Sequence, residues 1–130
     1  MNESVRLAGT PSRVVYGLVA VVVLAAAIAV YGDVSAVWWV FPVFALGPDI
    51  GFLAGVGQTG SLERGQMPAR AVPFYNALHR IWGPLALGLL AAAGVVSPVL
   101  LVGALVWGFH ILFDRALGYG LRTRDGFQRS

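Results

Sequence analysis

The sequence predicts an all-α polytopic membrane protein, a compact bundle of four transmembrane helices with both termini in the cytoplasm. Hydrophobic residues occupy 58% of the 130 positions and charged residues only 12%, about half the charged share of a soluble domain. The apolar residues form runs of roughly 18–25 positions, the length that a helix needs to cross about 30 Å of hydrocarbon. The arginines lie at the two ends of the chain and in every second connection between spans, which predicts the orientation of each span in the membrane.

The four apolar runs fit a single domain, 1–130. The first run is almost wholly Val, Ala, Leu and Ile, and Gly32-Asp33 ends it. A Gly-Pro pair interrupts the second run, and a polar stretch separates it from the third. The fourth opens with Pro98, a favourable residue in the first turn of a helix. We expect spans at about 14–31, 34–56, 71–96 and 98–117, and a cytoplasmic loop at 57–70.

The arginines outside the apolar runs set the predicted orientation. They precede the first span, lie in the loop between the second and third spans, or follow the fourth span. Because positive residues favour the cytoplasmic side, a multi-pass protein of the bacterial inner membrane with both termini cytoplasmic is expected. An alternative treats the first span as a cleaved signal peptide, although its apolar run exceeds the usual 7–15 residues. These arginines are Arg6, Arg13, Arg64, Arg70, Arg122, Arg124 and Arg129.

Composition also limits the partners and the chemistry. The chain has no cysteine, so disulfides and thiolate metal sites are excluded. The net charge of +3 comes from scattered arginines that flank or enter apolar runs, which favours a juxtamembrane role over nucleic-acid binding. We expect the lipid bilayer as the main partner, with a homo-oligomer as a compatible assembly.

Polar and charged residues enter three of the four spans. His110 and Asp114 are four residues apart near the end of the fourth span, so a helix brings both onto one face. Asn76 and His79 share a face of the third span through their i,i+3 spacing. Asp49 follows the Gly-Pro interruption of the second span, which places its carboxylate in the first turn of the restarted helix.

The predicted orientation brings these residues to a similar depth. At about 1.5 Å per residue, they lie roughly 4–15 Å from the cytoplasmic ends of their helices. Ionisable side chains are costly in hydrocarbon, so they usually pair or form a functional site. The sequence therefore predicts one polar cluster in the cytoplasmic half of the bundle. Its candidate members are Asp49, Asn76, His79, His110 and Asp114, with Arg80 and Arg115 beside them.

Three interpretations of this cluster are open. In the first it is structural, with Asp114 paired to Arg80 and Asp49 to Arg115. In the second, imidazole and carboxylate groups bind a divalent metal such as Zn, Mn, Fe or Ni. In the third, the two arginines hold a lipid head group or a small anion. The candidate metal ligands are Asp49, His79, His110 and Asp114.

A stripe of small residues accompanies the second span. Gly47, Gly51 and Gly55 repeat every four residues. Glycines at this spacing let another helix approach closely. We expect Gly51 and Gly55 to face a neighbouring helix rather than lipid, which brings the region of Asp49 against that neighbour.

Three segments carry a resemblance to a known family. They are the run Asp49-Ile50-Gly51 to Gly55, the pair Tyr75-Asn76 with His79, and the stretch from Trp107 to Leu121, which is the most specific. Through them the chain resembles an uncharacterised family of small bacterial membrane proteins, domain of unknown function 4260. The resemblance implies a compact four-helix inner-membrane protein with the polar residues named above, and it brings no activity. Arg80 departs from the family's pattern, which weakens the Arg80–Asp114 pair.

The sequence thus indicates a small integral inner-membrane protein whose polar cluster has a structural or interaction role. The alternative is a metal-dependent, hydrolase-like membrane enzyme, or a protein that binds a head group or an anion, with the same residues. Transport is a weaker interpretation, because four spans enclose a small pathway unless the chain oligomerises. A divalent metal is the one cofactor that the residues suggest, and neither catalytic residues nor a substrate follow from the sequence.

Overall fold

The computed structural model describes residues 10–34 and 38–129. In this part the chain is helical, as predicted, and the all-α class is confirmed. Arg6 and residues 35–37 of the second predicted span lie outside the described residues. The α-helices are α1 (Thr10–Asp33), α2 (Val40–Leu46), α3 (Val72–Leu78), α4 (Trp82–Ala92) and α5 (Val99–Leu117). Two 3₁₀ helices also form, a long one at Gly47–Gly55 and a short one at Ala69–Ala71.

Two of the helices, α1 and α5, are long and apolar enough to cross a membrane. Their most apolar windows have mean hydropathies of 2.6 and 1.6. The two helices pack along each other, and Arg13 Nε near the start of α1 donates to Ala116 O at the end of α5 over 2.9 Å. The two helices therefore run antiparallel. Gly118, with a φ of +93°, ends α5 in the left-handed conformation that glycine adopts most readily.

The second predicted span is interrupted where the sequence indicates. Helix α2 ends at Leu46, and the chain continues from Gly47 as the long 3₁₀ helix. Pro48 has no N–H to donate and its ring obstructs the preceding turn, so the α-helical ladder cannot pass through it. Asp49 lies in the first turn of the restarted helix, as expected, although that helix is 3₁₀ rather than α.

The third predicted span, 71–96, is not one continuous helix. Helix α3 ends at Leu78 and α4 begins at Trp82. Pro84 lies in the first turn of α4, where it cannot donate to the carbonyl of Arg80 four residues earlier. The sequence predicts a span that passes through this proline, and the structure instead separates two helices at residues 79–81. His79 lies in this break.

The predicted close approach at Gly51 and Gly55 is confirmed. Gly51 and Gly55 are buried. A Cβ at Gly51 would lie 2.8 Å from the backbone nitrogen of Tyr75, and one at Gly55 would lie 2.7 Å from the side chain of Pro68. A Cβ at Gly47 would meet nothing within 4 Å. The long 3₁₀ helix therefore lies directly on α3, which brings Asp49 towards His79.

Candidate metal centre

Four side chains from three parts of the chain meet in one cluster. Asp49 comes from the long 3₁₀ helix, His79 from the break between α3 and α4, and His110 and Asp114 from successive turns of α5. One nitrogen or oxygen of each side chain lies within 4.8 Å of the corresponding atom of the other three. We call these four residues the His-Asp cluster.

The distances within the His-Asp cluster fit a metal ion. The Nε2 atoms of His79 and His110 are 3.2 Å apart. Oδ1 of Asp49 is 3.2 Å from Nε2 of His79 and 3.3 Å from Nε2 of His110, and Oδ2 of Asp114 is 3.4 Å from each. At bond lengths of about 2.0–2.1 Å, the ligand atoms of a regular tetrahedral zinc site are separated by about 3.3–3.4 Å. The separations between the two rings, and between each ring and each carboxylate, are 3.2–3.4 Å and therefore lie within about 0.1 Å of those of a tetrahedral site.

The hydrogen bonds of the two imidazole rings fix their tautomers. Nδ1 of His79 donates to the carbonyl oxygen of Tyr75 over 2.8 Å, and Nδ1 of His110 donates to that of Ala45 over 2.7 Å. A carbonyl oxygen only accepts, so each Nδ1 carries a proton. In the neutral ring, Nε2 then presents its lone pair to the cluster. This arrangement is the usual one for a metal-binding histidine.

With both rings neutral, the charges of the cluster favour a cation. With neutral rings, two imidazole lone pairs and two carboxylate oxygens converge on one point, and each of these atoms carries negative charge. A divalent ion would balance the charges of Asp49 and Asp114 and would attract all four atoms. If both rings were instead protonated, their positive Nε2–H groups would face each other across 3.2 Å, which like charges disfavour.

The helix breaks provide the partners that orient the cluster. In an uninterrupted helix, the carbonyl of Ala45 would accept from residue 49, but the change to 3₁₀ geometry leaves it for His110. The carbonyl of Leu78 at the end of α3 accepts from Nε1 of Trp107 over 2.7 Å. The carbonyl of His79 accepts from Nη2 of Arg115 over 3.2 Å. Carbonyls freed by broken helices must find new donors in an apolar environment, and here the donors hold the ligand-bearing elements together.

The cluster is accessible on one side. The side chains of His79, His110 and Asp114 are 1%, 12% and 20% exposed, whereas that of Asp49 is 47% exposed. A bound ion would therefore be enclosed by three ligands and reached past the fourth. Such partial enclosure leaves room for an exchangeable ligand beside Asp49.

The remaining predicted site residues lie around the cluster, with other partners. Both ends of the Asn76 amide bond to the backbone of Arg122. Arg115 donates to the carbonyls of His79 and Tyr119, and Arg80 is exposed. In the described part of the chain, neither Arg80 nor Arg115 forms a salt bridge. The contacts of salt-bridge length there join the two histidines to the two aspartates, and they are ion pairs only if a ring is protonated.

Two aromatic residues contribute to the site without having been predicted. The ring of Tyr75 stacks on that of His79, with centroids 3.8 Å apart and planes 17° from parallel. Trp107 connects α5 to the end of α3 through its indole N–H. Their spacings, four residues before His79 and three before His110, are the signals that could have identified both.

Comparison with known proteins supports the resemblance noted in the sequence. No curated protein and no solved structure matches the chain. The family model described as Domain of unknown function (DUF4260) matches residues 14–130. This match includes all four members of the His-Asp cluster. The predicted family is confirmed, and the chain belongs to the DUF4260 family.

Proposed function

We propose that this protein is a multi-pass inner-membrane protein that binds one divalent metal ion, of zinc or the first transition row, at the His-Asp cluster. The observation that carries the proposal is that one nitrogen or oxygen of each of the four side chains lies within 4.8 Å of the other three, while both Nδ1 atoms donate to carbonyls. Imidazole together with carboxylate favours this class of ions over the hard cations, which prefer oxygen ligands alone.

A metal explains the cluster better than the structural pairing of charges that the sequence favours. That pairing needs an arginine beside each carboxylate. Arg115 instead uses its N–H groups on two backbone carbonyls, and Arg80 is exposed. The two carboxylates face histidines whose Nδ1 atoms are already occupied. A divalent ion would attract all four groups, and its two positive charges would balance those of the two carboxylates.

The surface of α1 supports a location in lipid. Leu18, Val21 and Val22 on this helix are 64%, 65% and 67% exposed. Large apolar side chains at this density are unfavourable in water, whereas hydrocarbon solvates them. The helix is also long enough to cross the bilayer. A bilayer around α1 and α5 is therefore part of the proposal.

The proposed topology has four crossings, two of them broken. The contact between Arg13 and Ala116 places the start of α1 and the end of α5 on the same side, and the arginine distribution favours the cytoplasm for that side. Laid end to end, α2 and the long 3₁₀ helix would extend about 28 Å, at about 1.5 and 2.0 Å per residue. This length approaches the hydrocarbon thickness, so 16 residues can suffice for the second crossing.

Elemental analysis of the detergent-purified protein tests the metal site. We expect close to one divalent ion per chain in the wild type and strongly reduced content in His79→Ala and His110→Ala. Asp33→Ala, which removes an exposed carboxylate from the end of α1, is the control and should retain the ion. Wild-type protein that is folded and still binds no ion after incubation with Zn²⁺, Mn²⁺, Fe²⁺ or Co²⁺ would refute the proposal.

A second candidate function, a metal-dependent hydrolase acting on an amphiphilic lipid, is favoured by a groove beside the cluster. Its volume is about 210 Å³. Its walls include the sequence neighbours of Asp49 and His79, and a residue one helical turn before His110. An acyl chain there would bring a head group near the open side of the ion, where bound water can become a nucleophile. The lining residues are Val43, Phe44, Gly47, Pro48, Leu78 and Trp107.

Hydrolysis of a lipid ester in mixed micelles by the metal-loaded protein tests this candidate. Activity should require the ion and disappear in His110→Ala. Metal binding with no turnover of ester or phosphoester lipids would favour a metal-binding protein without hydrolase activity.

A further inference from the structure

The chain beyond α5 forms a small hairpin that belongs to the surroundings of the metal centre. Residues 121–129, here the C-terminal hairpin, follow Gly118 and turn back on themselves. Thr123 N donates to Phe127 O, and Arg129 N donates to Leu121 O, each over 2.8 Å. Gly126 permits the turn with a φ of +95°. The hairpin is therefore an ordered element with its own backbone hydrogen bonds.

Its backbone is anchored to α3, the helix that leads into His79. Asn76 Nδ2 donates to the carbonyl of Arg122 over 2.9 Å, and the N–H of Arg122 donates to Asn76 Oδ1 over 2.7 Å. This reciprocal pair imitates the contact between neighbouring β-strands. On its other side, the hairpin accepts a hydrogen bond from Met67 N at Gly126 O over 2.9 Å. The hairpin thus joins α3 to the predicted cytoplasmic loop.

The side chain of Arg122 connects the hairpin to a metal ligand. Its Cζ lies 5.7 Å from the centroid of the Tyr75 ring, and that ring stacks on His79. Nη1 of Arg122 also donates to Gly65 O over 2.8 Å, which holds the guanidinium in place. Because His79 is only 1% exposed, its ring can turn away from the cluster only if Tyr75 moves. Arg122 restricts that movement.

We infer that Arg122 is a positioning residue of the metal centre and that the C-terminal hairpin sets how fast the ion exchanges. The inference rests on the proposed metal binding. An ion leaves when its ligands turn away one after another. Asp49 lies on the open side, whereas the ring of His79 stacks on that of Tyr75. Arg122 lies over the Tyr75 ring, and Asn76 anchors the backbone of Arg122. Groups that orient a ligand in this way typically change metal affinity 10–100-fold when they are removed.

Metal transfer to a colorimetric chelator measures the exchange directly. The full-length protein in detergent is loaded with Zn²⁺, and the release rates of Arg122→Ala and Asn76→Ala are compared with that of the wild type. We expect release to be about tenfold faster, or more, in both variants. Arg124→Ala is the matched control, because Arg124 is an exposed arginine of the same hairpin whose side chain makes no hydrogen bond within the described residues. It should release the ion at the wild-type rate.

The visible absorption of Co²⁺-loaded protein separates positioning from general stability. Tetrahedral Co²⁺ bands report the ligand geometry, so they should change in Arg122→Ala and Asn76→Ala and stay unchanged in Arg124→Ala. A thermal melt checks that each variant is folded. If Arg122→Ala does not fold, Asn76→Ala alone tests the role of the hairpin. Wild-type release rates and spectra in a folded variant overturn the inference while the metal site stands. Absence of metal from the folded wild type overturns both.

Discussion

At the scale of single residues, the fixed tautomers of the two histidines decide the chemistry of the cluster. Each ring donates from Nδ1 to a carbonyl, which leaves Nε2 as the group that faces Asp49 and Asp114. With both rings neutral, the cluster is complementary to a cation and repulsive without one. A site that depends on an ion and a site built from opposite charges should respond differently when one charge is removed.

Asp114→Asn distinguishes the two kinds of site with little change in shape. If the cluster binds a metal, Asp114→Asn weakens binding but relieves repulsion in the metal-free protein, so its metal-free melting temperature should equal or exceed that of the wild type. If the carboxylate is instead the partner of a protonated histidine, the change removes that ion pair, so the metal-free melting temperature should fall below that of the wild type. Thermal unfolding of both proteins with excess chelator, and again with Zn²⁺, measures the difference. A large loss of stability in chelator would contradict the metal site.

At the scale of helices, the interruptions create the site. The break at Gly47-Pro48 turns Asp49 towards the cluster, and the break after Leu78 does the same for His79. Both breaks free carbonyls that then accept from side chains of α5. Continuous helices would keep those carbonyls in their own ladders and would leave His110 without its partner at Ala45.

The contact between the long 3₁₀ helix and α3 can be tested with a single methyl group. A Cβ at Gly51 would lie 2.8 Å from Tyr75 N and 3.1 Å from Phe74 C, both rigid backbone atoms. Gly51→Ala should therefore push the two elements apart, lower stability by about 1–3 kcal/mol, and weaken metal binding through displacement of Asp49.

Gly32→Ala is the matched control for this prediction. It adds the same methyl group to a glycine of α1, where the Cβ would meet nothing within 4 Å, so it should keep wild-type stability and metal affinity. Detergent melts and Zn²⁺ titrations compare the two variants. Equal behaviour of the two alanines would show that the close approach at Gly51 does not position Asp49.

At the scale of the whole molecule, the antiparallel packing of α1 and α5 sets which ends lie together. The Arg13–Ala116 hydrogen bond joins the start of one helix to the end of the other. The His-Asp cluster lies within two turns of that end, since His110 and Asp114 precede Leu117, the last residue of α5. The proposed metal site would accordingly open near the cytoplasmic face.

Reporter fusions test this orientation. Fusions at Arg64 and after the last residue should give cytoplasmic signals, and a fusion at Asp33 should give an external one, because arginines are retained inside. A variant with a changed arginine distribution provides the control. Replacing Arg64 and Arg70 with Gln should weaken the preference of the loop at 57–70 for the cytoplasm. The arginines near the two termini stay unchanged. An external C-terminal reporter would place the metal site near the opposite face.

The polar cluster shows how far sequence patterns can reach. Helical spacing paired His110 with Asp114, and hydropathy together with the arginine distribution assigned Asp49 and His79 to a similar depth. The same reasoning gave Arg115 a carboxylate partner, whereas the structure gives it carbonyls. Hydropathy describes a residue's depth but not the rotation of its helix, so it could not choose between partners.

The sequence by itself determined the helical class, the family, the apolar runs and the residues available to hold an ion. These follow from local periodicity and composition, which act over a few neighbouring residues. Only the tertiary structure decided that the third run breaks at His79, that four ligand atoms converge, and that Arg122 lies behind the site. Those features depend on contacts such as Ala45 with His110, 65 positions apart, and Asn76 with Arg122, 46 apart. Such contacts are set by how helices cross and rotate, which packing of the whole chain determines.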